Sequence, residues 1–300
     1  MNARPLNGKP LAAEIMARVS AEADALRWLG ISATLAVVVA TDDDSTHWYV
    51  RSIAKAAERS GVRCLVSDLG PNASEQRIAE ELEDLGRNPG VHGIILQTPL
   101  PPRVAPAALV GLIPAEKDVD GANPLSLGRL AVGKRAFAPA TARAVMELLD
   151  HYGIAAAGQH VAVVGRSAVV GKPLLHLLLE RNATVTICHS HSRPLARFTR
   201  GADVVVVAVG RAGTLTDEHV SEGSVVVDVG TNVAEDGNLV GDADETSVSR
   251  VASALSPVPG GVGSVTTGLL LLHTVEAADA QSRKSHEASP TQGEPDQISL

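Results

Sequence analysis

The sequence predicts an α/β fold in which helices cover parallel sheets. Short runs of Val, Ile, Leu and Ala recur along the chain without alternating polar residues, and amphipathic stretches separate them. Strands of this composition are buried on both faces, as is typical of parallel sheets. A length of 300 residues corresponds to two domains of roughly 150 residues each, so two hydrophobic cores are expected.

The first half of the chain reads as one α/β unit. Its strand candidates lie at 34–40, 64–69 and 93–97. Helix-like stretches at 45–60 and 74–86 separate them. Turn-forming and mixed polar residues replace the apolar runs at 114–138. We place the domain boundary there, so the first domain is predicted to comprise residues 1–138.

An amphipathic helix beginning at Thr141 opens a second α/β unit, predicted to comprise residues 139–264. Its β-branched strand candidates lie at 160–164, 184–188, 203–209 and 224–230. A C-terminal helix is predicted at 265–280, and we expect it to close the first domain. The last segment, 281–300, is rich in Ser, Gln, Glu and Pro, a composition that predicts disorder.

Charge and cysteine content narrow the class of protein. The 26 basic and 34 acidic side chains give a net charge of −8 without a block of like charges, which argues against a nucleic-acid or anionic-membrane partner. Two cysteines, Cys64 and Cys188, cannot form a disulfide framework. We find neither a cleavable leader nor an apolar run near the roughly 18 residues of a membrane span. These observations predict a soluble, cytoplasmic protein.

The most informative segment is VAVVGRSAVVGKP at 161–173, where an apolar strand runs into a glycine-rich turn. Such a turn suits a phosphate-bearing cofactor, with Gly165, Arg166, Ser167 and Gly171 as candidate contacts. The segment is not G-x-G-x-x-G, because Ser167 replaces the second glycine, and it lacks the Ser or Thr of a Walker A loop. On spacing alone, an ordinary strand-to-helix turn therefore remains an alternative.

The end of the next strand favours a cofactor site, and NADP over NAD. A site selective for NAD usually carries Asp or Glu about 20 residues after the turn. This chain has CHSHSR at 188–193 instead, with no acid. We expect these donors to favour a 2′-phosphate, and assign the cofactor phosphate to Arg166 and Ser190. His189 and His191 lack an evident third ligand, so no metal site is predicted.

Taken together, the motifs resemble those of the bifunctional methylenetetrahydrofolate dehydrogenase/cyclohydrolase family. The second half carries VVGRSAVVGKP, ATVTICHS, ADVVVVAVGRAG, VVVDVGTN, the Gly-Asp pair at 241–242 and PVPGGVG. The first half carries LNGKPLA, the Tyr49-Val50 pair, ILQTPLP, KDVDG at 117–121 and GRL. The resemblance covers about residues 5–280. It implies an N-terminal folate-binding α/β domain, a C-terminal Rossmann-like NADP-binding domain with a parallel sheet, and a homodimer.

The resemblance also implies a reaction and its residues. Hydride passes from 5,10-methylenetetrahydrofolate to NADP⁺, and the methenyl product is then hydrolysed to 10-formyltetrahydrofolate. Tyr49 would stack along the folate rings, Gln97 would orient the reacting centre, and Asp120 would pair with pterin nitrogens. The structural alternatives are packing for Tyr49, a loop hydrogen bond for Gln97 and a turn for Asp120, while Asp118 is the more structural acid. Gly210 and Thr231 lie in matched cofactor motifs and complete the candidate site.

One departure from the family falls where hydrolysis needs a proton carrier. The family pattern is Y-V-x-x-K, but here Ile53 occupies the lysine position. Lys55 points about 200° around the helix from Ile53 and is a poor substitute. Further departures on the substrate side are Thr41, Asp44, Thr46, Thr98, Ala140, Ser264 and Val265. The sequence therefore predicts an NADP-dependent dehydrogenase whose cyclohydrolase activity is weak or lost.

Two other hypotheses stay open. A diverged paralogue would act on a different folate, or on another imine or aminal, in a specialised pathway. A catalytically silent protein would bind NADP or folate and act through partners. The nearly intact cofactor motifs favour an enzyme over the silent protein.

Overall fold

Two separate parallel sheets organise the chain, which confirms the predicted two-domain α/β class. The computed structural model describes residues 3–288. The elements of the first part are β1 (Arg4–Pro5), α1 (Gly8–Trp28), β2 (Thr34–Val39), α2 (Asp44–Arg59), β3 (Arg63–Asp68), α3 (Glu75–Arg87), β4 (Gly93–Leu96), α4 (Pro106–Val110) and α5 (Pro124–Ala131). Those of the second part are α6 (Ala140–His151), β5 (His160–Val164), α7 (Gly171–Glu180), β6 (Thr184–Cys188), α8 (Ala196–Thr199), β7 (Val204–Val207), β8 (Val225–Asp228), β9 (Asn232–Val233), β10 (Leu239–Val240), α9 (Glu245–Val248), β11 (Ala254–Leu255) and α10 (Val262–Ala288).

The first sheet has three strands in the order β3-β2-β4. Its central strand β2 is buried along its whole length. Leu35, Val37 and Val39 join one core cluster, and Ala36 and Val38 join another on the opposite face. The strand therefore shows no polar alternation because helices cover both faces of the sheet.

The second sheet has six strands in the order β1-β11-β8-β7-β5-β6, all parallel. The chain leaves β5 to form β6 on one side and then returns to form β7 on the other side. This reversal places a topological switch point beyond the carboxyl ends of β5 and β7, where ligands bind in open α/β sheets. The glycine-rich turn after β5 lies at this point.

The structure differs from the predicted first domain, 1–138, at its beginning. Strand β1 belongs to the second sheet, where Arg4 and Pro5 pair with Ala254 and Leu255 of β11. Two residues are too short to show a strand periodicity, so the pairing has no local signal in the sequence.

Helix α10 is longer than the predicted helix at 265–280. It begins at Val262 and continues to Ala288, so the disorder predicted from residue 281 is wrong for 281–288. Gln281 docks this extension by donating to the carbonyls of His92 and Glu116 at 3.0 and 3.2 Å. An Arg283–Asp279 ion pair spans one turn of the same helix. The rest of the predicted tail, 289–300, lies outside the described residues.

Helix α10 returns the chain to the first sheet and packs against α1, α6 and β2. In residues 3–288, no helix combines the length and apolar character that crossing a membrane requires.

Candidate active site

Helix α2 presents Tyr49 to the first turns of α10. The helix begins beside Asp43, whose carboxylate accepts the backbone N–H of Thr46 at 2.7 Å. The Thr267 hydroxyl and the carboxyl of Asp120 both lie close enough to the Tyr49 hydroxyl to influence its ionisation. Burial, with a contribution from the Asp120 charge, raises the pKa of Tyr49. The structure thus brings together two of the predicted substrate residues, Tyr49 and Asp120.

Asp120 is an acid poised between its two protonation states at neutral pH. Burial and the nearby charge of Asp118 raise the pKa of Asp120 to about 7, although the Ala140 N–H donates to its carboxylate. The following Gly121 has a φ of 65°, and a Cβ there would lie 2.5 Å from the Pro139 nitrogen. Only glycine fits this approach, which presses the loop against the start of α6.

The other two charged residues of the KDVDG segment, Asp118 and Lys117, form hydrogen bonds within the protein. Asp118 is 1% exposed and accepts the N–H groups of Ala122 and Asn123 at 3.0 and 2.9 Å. The Lys117 ammonium donates to the carbonyls of Gly86 and Asn88 at 2.9 and 2.7 Å. Asp118 therefore has the structural part expected of it, and Asp120 is the acid whose charge reaches Tyr49.

Ile53 lies one helical turn after Tyr49 and is fully buried, at 0% exposure. It belongs to the main core cluster, against which the Tyr49 ring also packs. Lys55 is exposed on another face of α2. Hydrocarbon therefore occupies the position one turn after Tyr49, and the Lys55 amine lies apart from it.

Gln97 follows β4 at the carboxyl edge of the first sheet, where its N–H donates to the Val38 carbonyl at 2.9 Å. Within the described chain, its half-buried side chain makes one long hydrogen bond of 3.5 Å, to the carbonyl of Thr98. This contact leaves most of the hydrogen-bonding capacity of the amide available to a ligand.

The turn after β5 depends on two close backbone approaches. Gly165 has a φ of 130°, and a Cβ there would lie 2.2 Å from the carbonyl oxygen of Ala208. A Cβ on Gly171 would lie 2.1 Å from the carbonyl oxygen of Gly165. The Ser167 hydroxyl accepts the Val170 N–H at 3.1 Å and shapes the turn, while the Arg166 side chain is exposed.

A cavity of about 560 Å³ lies at the same edge of the second sheet. Ser190 lines it, together with Arg193, Arg211 and His219. Gly210 sits between two lining residues, and the exposed Thr231 follows β8 at the same sheet edge. The cationic and hydroxyl groups fit an anionic nucleotide. Sequence reasoning did not select Arg211 and His219, although Arg211 stands in the quoted segment ADVVVVAVGRAG.

His189 and His191 stand near this cavity with their ring centroids 5.9 Å apart. In the part of the chain that the structure describes, no three His, Cys, Asp or Glu side chains form a group able to hold a metal ion.

Two buried carboxylates that sequence reasoning did not select hold the loop after β7. Asp242 accepts consecutive N–H groups at 2.6, 3.0 and 2.7 Å, from residues 209–211, and Asn232 donates to it at 2.9 Å. Asp228 accepts the N–H groups of Gly230 and Ala243, both at 2.8 Å. Burial raises the pKa of Asp228 to about 6. The Gly-Asp pair at 241–242 was the only sequence signal for this arrangement.

His273 of α10 fixes the loop that carries Asp120. Its Nδ1 lies 2.7 Å from the Val119 carbonyl, and its Nε2 lies 2.7 Å from Nη1 of Arg143 on α6. Burial and the Arg143 charge lower the pKa of His273 to about 3. The imidazole is therefore neutral, donating to the carbonyl through Nδ1 and accepting from the guanidinium through Nε2.

Comparison with known proteins finds relatives that match nearly the whole chain. Residues 6–120 match the tetrahydrofolate dehydrogenase/cyclohydrolase catalytic domain, and residues 139–282 match the NAD(P)-binding domain of the same family. The chain is 67% identical over 283 residues to "Bifunctional protein FolD 1" of Paenarthrobacter aurescens, covering 94% of this chain and 96% of that protein. It is 62% identical to "Bifunctional protein FolD" of Arthrobacter globiformis, with 94% and 97% covered.

Solved structures agree with the sequence relatives. The bifunctional methylenetetrahydrofolate dehydrogenase/cyclohydrolase FolD of Campylobacter jejuni superimposes with a TM-score of 0.91 at 38% identity, covering 93% of this chain and 99% of that one. The Trypanosoma brucei enzyme, solved with NADP cofactor and an inhibitor, gives a TM-score of 0.89 at 33% identity, with 94% and 99% covered. Sequence and structure together show that the chain belongs to the tetrahydrofolate dehydrogenase/cyclohydrolase family.

Proposed function

We propose that the protein oxidises 5,10-methylenetetrahydrofolate to 5,10-methenyltetrahydrofolate with NADP⁺ as the hydride acceptor. The observation that carries this proposal is the Asp120 carboxyl within electrostatic range of the buried Tyr49 hydroxyl, in a family whose domains take a folate and a nicotinamide cofactor. Asp120 accepts hydrogen bonds from the pterin, and Tyr49 supplies a flat surface for its rings. Gln97 presents its amide to the reacting centre from the end of β4.

The oxidation needs positioning more than proton transfer. Loss of hydride leaves a cation delocalised over the two nitrogens that flank the methylene carbon, so no side chain has to take a proton in this step. Bound NADP⁺ supplies the hydride acceptor. The contribution of the protein is to hold the donor carbon in line with the nicotinamide, which removes the entropic cost of a bimolecular encounter.

The cofactor is proposed to be NADP because the cavity beyond β6 offers cations and donors without an acid. Arg193 and Ser190 line this cavity, and Arg166 stands exposed on the neighbouring turn. One charge-assisted contact to the 2′-phosphate supplies a preference over NAD⁺ of about tenfold. Gly165, Ser167, Gly171, Gly210 and Thr231 are proposed to form the backbone side of the site.

Hydrolysis of the methenyl product is proposed to be weak or lost. The relatives carry names that describe them as bifunctional, but this chain places buried Ile53 one turn after Tyr49. Water attack on the methenyl cation requires proton transfers, and a positioned acid or base contributes about 10²- to 10⁴-fold. A hydrocarbon cannot supply them.

A steady-state assay of the purified protein tests both parts. With 5,10-methylenetetrahydrofolate, reduced cofactor and methenyl product should rise together, and NADP⁺ should be used at least about tenfold better than NAD⁺. Arg166→Ala should narrow that preference, whereas Arg200→Ala, at the opposite edge of the sheet, should not. Added methenyltetrahydrofolate should disappear hardly faster than in buffer. No reduction of either cofactor would refute the dehydrogenase proposal and favour a paralogue with another imine or aminal substrate.

Three further expectations stand as proposals. The folate-binding domain is taken as residues 1–138 apart from β1, and the cofactor domain as 139–264. The protein is proposed to be a homodimer, which light scattering of the purified protein checks. It is also proposed to be cytoplasmic, which cell fractionation checks.

A further inference from the structure

Helix α6 holds Asp120 at two places, its carboxylate and its backbone. The N–H of Ala140, the first residue of α6, donates to the carboxylate. One turn further along the helix, Nη1 of Arg143 lies 2.7 Å from Nε2 of His273. Nδ1 of that imidazole lies 2.7 Å from the carbonyl oxygen of Val119, which belongs to the peptide unit that joins Val119 to Asp120. These contacts therefore close a ring that starts and ends at Asp120.

The imidazole of His273 has a fixed orientation in this ring. The side chain is fully buried, and the Phe137 ring lies against it with the two centroids 4.9 Å apart. Arg143 is anchored in turn, because its Nε donates to Glu147 at 3.1 Å and its Nη1 lies 3.7 Å from the Glu276 carboxylate. The anchored guanidinium occupies Nε2, so the single proton of the neutral imidazole stays on Nδ1. That nitrogen is the one that faces the loop.

The bond from His273 ties the Asp120 loop to a distant helix. Two short-range bonds also hold this loop, from the Val119 N–H to the Lys117 carbonyl at 2.9 Å and from the Gly121 N–H to the Asp118 carbonyl at 3.1 Å. Without the imidazole donor, the Val119 carbonyl would lose a hydrogen bond inside the core. The peptide that carries Asp120 would also lose its link to α10.

We propose that His273 is a positioning residue for folate binding, which holds the Val119 carbonyl and thereby aims the Asp120 carboxylate at the pterin. Arg143 keeps the imidazole proton on the nitrogen that does this. Because His273 is fully buried, it acts on the folate through Asp120. Its loss should weaken folate binding and leave hydride transfer from bound substrate nearly unaltered. This inference rests on the proposed function, since it takes Asp120 as the acceptor for the pterin.

Two substitutions of His273 separate the two ring nitrogens. Asparagine can place its amide nitrogen near the position of Nδ1, so His273→Asn keeps the donor for Val119 and loses the acceptor for Arg143. Glutamine can place its amide oxygen near the position of Nε2, so His273→Gln keeps the acceptor and loses the donor. Both variants give up one buried hydrogen bond, so a general loss of stability does not distinguish them.

Isothermal titration with tetrahydrofolate, which lacks the reactive methylene carbon, measures the effect without turnover. The Kd should rise by about tenfold in His273→Gln and stay within about threefold of the wild type in His273→Asn. In steady-state assays, the KM for 5,10-methylenetetrahydrofolate should follow the same order. The kcat should change by less than about twofold and the KM for NADP⁺ should stay the same, since only binding of the folate is altered.

Thr274 provides the matched control on the same helix. It is also fully buried, and its hydroxyl donates to the Leu270 carbonyl of α10 at 2.8 Å. Thr274→Val removes a buried hydrogen bond without touching the Asp120 loop and should keep the wild-type Kd. Urea unfolding of each variant records its stability. If neither His273 variant folds, nitrogen-15 NMR of the wild type decides: the Nδ1 signal should shift on addition of tetrahydrofolate, and an unmoved signal overturns the proposal.

The outcomes separate this proposal from the proposed function. Equal affinities of His273→Asn and His273→Gln for tetrahydrofolate, with dehydrogenase activity present, overturn the positioning role and leave the activity standing. The expected difference between the two variants, in a protein that reduces neither cofactor, supports the positioning role and refutes the activity. Failure of the wild type to bind tetrahydrofolate refutes both.

Discussion

The backbone N–H of Asp242 donates to the carboxylate of Asp228 at 3.0 Å, so one buried acid holds another in position. Asp242 in turn holds residues 209–211, two of which line the cofactor cavity. A Cβ on Gly230 would lie 2.2 Å from Cγ of Asp242, and one on Gly241 would approach Oδ2 of Asp228 to 2.0 Å. The two glycines of this region are therefore required by the two acids.

Replacing Asp242 by Asn should loosen the cofactor site. The asparagine amide has one acceptor oxygen. Its NH₂ group would face backbone N–H groups that the Asp242 carboxylate accepts in the wild type. We expect the free energy of unfolding to fall by at least about 2 kcal/mol, because buried N–H groups lose their partner. NADP⁺ affinity, measured by fluorescence titration, should fall with it. Asp236→Asn, which alters an exposed turn acceptor, is the matched control and should change neither quantity by much.

Asp120 gives a pH dependence whose sign is fixed by its raised pKa. Between about pH 4 and pH 7 the folded protein holds a proton on Asp120 that the unfolded chain releases, so this group lowers stability as pH rises through that window. Asp120→Asn removes the effect. In urea unfolding, the free energy of unfolding of the variant should rise relative to that of the wild type by about 1 to 2 kcal/mol from pH 5 to pH 8. A difference independent of pH would contradict the assignment.

The same variant should weaken folate binding by about tenfold or more while leaving NADP⁺ binding nearly unaltered. Unchanged folate kinetics would mark Asp120 as a turn residue.

Ile53→Lys asks whether an amine at this position restores hydrolysis. A buried ammonium is costly, so we expect a loss of several kcal/mol in stability and a lowered lysine pKa. Ile53→Met is the control for shape and should cost less than about 1.5 kcal/mol. Methenyltetrahydrofolate hydrolysis should rise in the lysine variant relative to the methionine variant. Rapid hydrolysis by the wild type would instead implicate another base, and Lys55→Ala would be the first variant to make.

His273 contributes a pH dependence of opposite sign to that of Asp120. Its folded pKa of about 3 lies below the ordinary value, so the stability it provides is complete above about pH 6.5 and is lost as pH falls. Nitrogen-15 NMR should show a neutral imidazole with its proton on Nδ1 down to about pH 4. The stability difference between the wild type and His273→Gln should shrink from pH 7 to pH 5. A His273 signal that titrates near pH 6 would contradict the buried contact with Arg143.

The sequence predicts best those strands whose own residues carry a strand pattern. The runs at 160–164 and 184–188 were placed with the bounds the structure has, because β-branched strands between polar turns are self-evident in sequence. The short partner strands β1 and β11 carry no such pattern. The predicted tail began too early because docking of Gln281 onto the first sheet outweighs a polar composition.

The residues of the candidate site likewise fall into those that a local motif predicts and those that it does not. Tyr49, Asp120 and the turn at Gly165 stand in motifs that are contiguous in sequence. Thr267 and His273 act through residues more than a hundred positions away, so spacing within a motif cannot reveal them. The sequence predicts Gly165 as a cofactor contact, and the structure shows why this residue must be glycine, because the Ala208 carbonyl oxygen approaches it closely.

Strand β1 has a mechanical consequence. The chain crosses between the two sheets three times: after Pro5, between Asp120 and Ala140, and after Leu255. The first and third crossings are joined where Gly8 donates to the Gly260 carbonyl at 2.8 Å, so they form one attachment, and the second crossing forms another. A body attached at two separated points can turn only about the line through them. We therefore expect any relative movement of the two sheets to be chiefly a swing about this line, with sliding and twisting opposed by the backbone.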